Sequence, residues 1–106
     1  MIKNNRPYTD ENGWIDDGLI TDLPQEEVDE VLNWIRTNLL QRKTINSYHT
    51  SYGLKHLLER DTRIYLTNNQ FKDAMWMCGY KPKDVNELNW RYAISEKSPA
   101  LERKIW

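Results

Sequence analysis

Residues 67–82 read TNNQFKDAMWMCGYKP, a helix with both of its ends written into the sequence. Thr67 can accept a bond from the amide three residues on, and Gln70 can reach back to the Thr67 amide, which is a capping box. Phe71, Ala74, Met75 and Cys78 fall on one face at helical spacing. Gly79 stands where a left-handed C-terminal cap is wanted, and Pro82 prevents continuation.

Upstream, YGLKHLLER reads as a second short helix over about residues 51–60, with Thr50 and Ser51 as candidate N-caps and Leu54, Leu57 and Leu58 inward. TINSYHT at 44–50 reads as a polar connector, and Arg63-Ile64-Tyr65-Leu66 as a brief extended stretch. Downstream, Leu88, Trp90, Tyr92 and Ile94 alternate with Asn89, Arg91 and Ala93, the period of a strand with one buried face. Its expected partner is the Ile64–Leu66 stretch. Further upstream, Val28, Val31, Leu32, Ile35 and Leu39 predict a helix over about 24–41, with Pro24 in its first turn and Glu26, Glu27, Asp29 and Glu30 where the helix dipole favours acids.

The expected architecture is one mainly α domain over residues 1–106 with a small β element. An irregular acidic arm (1–21) precedes a first-helix region (22–43). Residues 44–95 then form a helix-turn-helix-like, winged-helix-like unit, followed by a tail at 96–106.

Composition narrows the function classes. Cys78 is the only cysteine, so no intramolecular disulfide can form and a disulfide-stapled secreted fold is excluded. No apolar run has the length of a membrane span, and residues 1–13 lack a signal-peptide core, so the expected setting is cytoplasmic with no membrane partner. Five Trp and six Tyr stand against one Phe, so nearly every ring carries a polar atom suited to a half-wet position. The net charge of −1 hides an asymmetry: residues 1–30 carry two bases against nine acids, a net of −7, while residues 31–106 carry thirteen Lys and Arg against seven acids, a net of +6. The second part would attract a polyanion.

In a helix-turn-helix unit the first turn of the second helix faces the major groove. Here it offers Asn68, Asn69, Gln70 and Lys72, of which Asn and Gln pair with adenine edges and Lys with guanine or phosphate. Lys55, Arg63 and Arg91 complete the expected nucleic-acid-binding set. The same Asn68 and Asn69 also suit first-turn residues that satisfy orphan amides, and Gln70 cannot both cap the helix and read a base. The rings Tyr48, Tyr52, Tyr65, Trp76, Tyr80, Trp90 and Tyr92 interleave with Arg and Lys, a pattern that serves base stacking or a protein interface. Trp90 is expected in the core, while Trp76 is left open. His49, His56 and Cys78 have no metal-ligand spacing, Cys78 lies on an apolar face, and the four glycines form no phosphate loop. No metal, cofactor or catalytic residue is expected, so the protein is read as a binder and not an enzyme.

Residues 44–95 resemble small uncharacterised proteins carried by phages and integrative elements of Gram-positive bacteria. The resemblance lies in SYGLKH (Ser51–His56), TNNQFKDAM (Thr67–Met75), Gly79-Tyr80 and Asn89-Trp90. More distantly, the second half is similar to winged helices appended to mobile-element replication proteins, where a capped helix ends in Gly plus an aromatic and a strand follows. The +6 bias of residues 31–106 and the polar first turn of the third helix make the expected role that of an accessory or regulatory factor that binds DNA or RNA through residues 44–95. An alternative is an inhibitor of a host defence nucleoprotein, similar to anti-CRISPR proteins, that binds protein through Asp10, Glu11, Asp16, Asp17 and Asp22 of the acidic arm. Neither reading fixes the oligomeric state.

Overall fold

In the computed structural model, the described residues are 18–102 together with the backbone of two short antiparallel strands, β1 (Ile2–Lys3) and β2 (Arg6–Pro7). One turn of 3-10 helix at Ile20–Asp22 leads into α1 (Gln25–Asn38). Then follow β3 (Gln41–Thr50), α2 (Ser51–Thr62), α3 (Asn68–Met77), β4 (Arg91–Ile94) and the single turn α4 (Pro99–Glu102). Helices make up about half of the described residues. The Cα radius of gyration, 12.9 Å, is that of one packed domain of this length, for which about 13 Å is usual.

α1 forms as its pattern predicts. Pro24 takes the position before the first helical residue, Glu26 and Glu27 occupy the first turn, and Val28, Val31, Leu32, Trp34 and Ile35 are buried. It stops at Asn38 and not near 41, because Leu39 turns extended (φ −119°, ψ 136°) and stays in the core while the chain enters β3. The Trp34 indole donates to Asp61 Oδ2 at 2.9 Å, tying α1 to α2.

The ends of α3 are as the sequence states them. Gln70 N donates to Thr67 Oγ1 at 3.2 Å and Thr67 N to Gln70 Oε1 at 3.0 Å. Gly79 has φ 89°, Gly79 N donates to Trp76 O, and Tyr80 N donates to Met75 O, which completes a Schellman closure.

Two expectations are corrected. Residues 44–50 are not a connector but the last seven of the ten residues of β3, which pairs antiparallel with β4 in the register Gln41↔Ile94, Asn46↔Tyr92, Thr50↔Arg91. Ten residues face four, so β3 bulges twice; Arg42 Nε and Nη2 donate to the carbonyls of Thr44 and Ile45 inside the first bulge. The Ile64–Leu66 stretch is not the partner of β4 and is no strand. Ile64 and Leu66 are buried and Tyr65 points out, but the two buried amides bond to Thr62 Oγ1 and Glu59 Oε2 instead of a neighbouring strand. Alternation of burial thus arises here without a ladder.

β4 behaves as expected: Trp90, just before it, Tyr92 and Ile94 are buried in a core shared with Phe71, Met75, Leu54, Leu58 and Ile35. Of the C-terminal segment, α4 docks Ala100 into this core against α1.

Candidate nucleic-acid interface

α3 does not present a reading surface. Asn68, Asn69 and Lys72 are each at most 2% exposed, which corrects their assignment as groove-facing residues. Each is held by groups that close around the helix. Asn68 Oδ1 accepts from Ser51 Oγ (3.0 Å), and its Nδ2 donates to Asn89 Oδ1 (2.9 Å) and to the Leu88 carbonyl (3.2 Å). Ser51 Oγ also accepts from Trp90 N (3.0 Å), so the starts of α2, α3 and β4 meet in one network. Asn69 Nδ2 donates to the Gly18 carbonyl at 2.7 Å, and Asp73 Oδ2 accepts from Ile20 N at 2.9 Å. Lys72 Nζ lies 4.9 Å from the centre of the Trp90 ring. Gln70 is spent on the cap and reaches the Leu19 carbonyl at 3.4 Å. The polar letters of this helix are therefore internal partners, as burial of polar groups requires.

The outward groups lie on α2 and the segment that follows it. Tyr52 and His56, one turn apart, stack edge to face at 4.5 Å between ring centres. Lys55 is next to them but buried, which corrects its reading as a surface phosphate contact. Its Nζ lies 5.4 Å from the Tyr52 ring centre and 5.2 Å from that of Tyr65, and 3.2 Å from Glu59 Oε2. Tyr65 comes within reach because Leu66 N donates to Glu59 Oε2, which turns residues 63–66 back along α2. Glu59 thus binds Lys55, His56 Nδ1 (3.2 Å) and the Leu66 amide, and its charge is matched from within. Two tyrosines flank one ammonium, Tyr52 46% and Tyr65 72% exposed. Sequence reading placed both rings among the interleaved aromatics but missed His56 and Glu59; the signal was there as Tyr52/His56 and Lys55/Glu59 at i, i+4.

The remaining expected residues divide. Arg63 is exposed and takes the left-handed conformation (φ 62°) that ends α2, its amide bonded to the Glu59 carbonyl. Arg91 is half-buried and its Nη1 pairs with Glu87 Oε2 at 2.9 Å. Arg42 and Lys43 are exposed on the first bulge of β3, and Tyr48, 87% exposed, stands on the second. Asp10, Glu11, Asp16 and Asp17 lie outside the described residues. Asp22 is exposed and its carboxylate accepts from Leu19 N at 2.9 Å, so it serves the 3-10 turn. Asp22, Glu26, Asp29 and Glu30 gather exposed acids at the start of α1, away in sequence from the bases of β3 and the end of α2.

Cys78 is half-buried with Sγ 3.9 Å from the Leu32 carbonyl; burial pushes its thiol above 9.0, partly offset by the Arg36 guanidinium. Trp76, left open by the sequence, packs on the core beside Trp90 and is covered by Lys81, whose Nζ is 3.7 Å from the ring centre. His49 Nε2 pairs with Glu96 at 3.0 Å, and a hydrogen bond from Asn46 is the main cause holding that carboxyl below its usual 4.5. Among the described residues no three metal-ligating side chains come together, and no helix is long and apolar enough to cross a membrane. Set against protein-family models, curated proteins and solved structures, the chain matches none of them.

Proposed function

We propose that this protein is a non-enzymatic nucleic-acid-binding factor, accessory or regulatory in role, whose contact surface is the outer face of α2 and the flanking β3 bulges. The first turn of α3 is not that surface. The observation that carries this is the Tyr52–Lys55–Tyr65 cluster: two outward rings set around one buried ammonium, with the exposed Arg63 two residues before Tyr65 in the chain. Rings beside cations are what nucleobases and phosphates use together.

The order helix, strand, helix, helix, strand, with the two strands paired, supports a winged-helix-like arrangement. The loop between α3 and β4 would stand for the wing, since Lys83 N donates to the Arg91 carbonyl at 2.9 Å and closes it like a hairpin. In that arrangement the recognition helix of the usual docking mode is sealed, so binding through α2 is the geometry left open.

The test is a gel-shift titration against DNA and RNA over a salt series. Arg63→Gln should lower the salt slope by about 0.7–0.9, one phosphate contact. Absence of binding to every nucleic acid at low salt would remove the proposal.

A further inference from the structure

We infer that the strand accepted by this surface is unpaired, with nucleobases lying face-on against Tyr52 and Tyr65; the inference rests on the nucleic-acid reading above. A duplex offers a protein its backbone and its base edges, and keeps the base faces stacked inside. Edges are read by hydrogen-bonding side chains that protrude into a groove. In this protein the side chains of that kind on α3 are enclosed: Asn68 and Asn69 are committed to Ser51, Leu88, Asn89 and Gly18. What the surface offers instead is ring area. Tyr52 and Tyr65 stand open, and both lie close to one ammonium, at 5.4 and 5.2 Å from their centres, so the two platforms are no more than about 11 Å apart. At the ~3.4 Å rise of stacked nucleotides, such a span covers about three steps of a stacked strand and fewer of an extended one.

The charge distribution fits the same occupant. Lys55 is 4% exposed and neutralised by Glu59, so it cannot reach a phosphate; its role is to fix the rings. Phosphates would fall to the exposed Arg63 at the C-terminal end of α2, leaving the rest of the path to ring faces. Gly53, next to Tyr52 on the exposed side of α2, has open space around the position of a Cβ, so a strand can pass close to the backbone there.

The experiment is fluorescence anisotropy of the full chain with labelled DNA and RNA oligomers of roughly 12 nucleotides, within the ~4–16-nucleotide range of single-strand sites, each single-stranded and as the matching duplex. Single strands should bind at least about tenfold more tightly than duplex. Tyr52→Leu and Tyr65→Leu should each weaken single-strand binding about fivefold or more, since stacking is worth ~1–3 kcal/mol per base. Tyr52→Phe and Tyr65→Phe, which keep the ring, should bind nearly as the parent does, and thermal melting of all four variants checks that the fold is retained. Duplex binding equal to or tighter than single-strand binding, or leucine variants that bind like the parent, overturns the unpaired-strand inference while leaving the nucleic-acid reading standing. Failure of the parent to bind any of the oligomers overturns both.

Discussion

α2 and α3 are adjacent helices of similar length, each with a lysine among polar residues in its first two turns, and they use those residues in opposite ways. In α3, Asn68, Asn69, Lys72 and Asp73 face inward and join the helix to the segments 18–20 and 88–90. In α2 the lysine is also inside, yet Tyr52 and His56 remain outside and the apolar Leu54 and Leu58 take the core. A polar helix is therefore not by itself an outer helix. What decides is whether neighbouring segments bring complementary donors and acceptors to it, because an unpaired buried amide costs about 1–3 kcal/mol and a paired one costs little.

The strongest way to break this comparison is Asn68→Ala. It removes three hydrogen bonds and leaves Ser51 and Asn89 facing a void, so stability should fall by roughly 3 kcal/mol, read as a lower urea midpoint. A change as small as that of a surface substitution would mean that the inward network is not what holds α3. Thr67→Ala removes the cap acceptor of α3 and should cost about 1 kcal/mol by the same measurement. On α2 the expected sign reverses: Gly53→Ala adds a methyl into open space and a better helix former, and should raise stability by about 0.5–1 kcal/mol. Tyr65→Ala, on the outward side, should stay within about 0.5 kcal/mol of the parent even though it removes a ring from the platform. A large loss there would make Tyr65 a structural cover for Lys55.

The smallest effect concerns a surface charge outside both helices. Glu96 has its folded pKa lowered, by the Asn46 hydrogen bond first and His49 after it, so its contribution is full above 4.5 and is lost as pH falls through the depressed folded value. Glu96→Gln should lower the melting temperature slightly near neutrality and leave it unchanged well below the depressed folded value, so that the fall of stability on that acid side becomes shallower. A pronounced shift at neutral pH would show that the exposed carboxylate does more than pair with His49 and Asn46.

Features set by neighbours in sequence were legible. The Thr67/Gln70 box and the Gly79 closure depend on residues within one turn of each other, and the inward Trp90, Tyr92 and Ile94 on a period of two. β3 was not legible, because its partner tolerates two bulges and only Asn46 among its ten residues is fully buried, so no alternation marks it. The inward turn of Asn68 and Asn69 was equally hidden, since their partners are about 20 and 50 residues away in the chain. The candidate surface lies between these cases. The spacing of Tyr52, Lys55, His56 and Glu59 is plain in the sequence, but only the fold of residues 63–66 brings Tyr65 to them.

The left-handed backbone at Arg63 sets two demands against each other. Among the described residues it is the only one other than glycine with positive φ, in a conformation that costs an ordinary side chain roughly 1–2 kcal/mol and costs glycine nothing. Arg63→Gly would relieve that strain, and even after the looser unfolded chain is counted it would leave the fold as firm as before or firmer by up to about 1 kcal/mol. The same change would remove the one exposed guanidinium at the end of α2. An engineer selecting only for heat resistance would thus be drawn to glycine at this corner, and would be discarding a positive charge that the solvent-facing rings beside it have in reach.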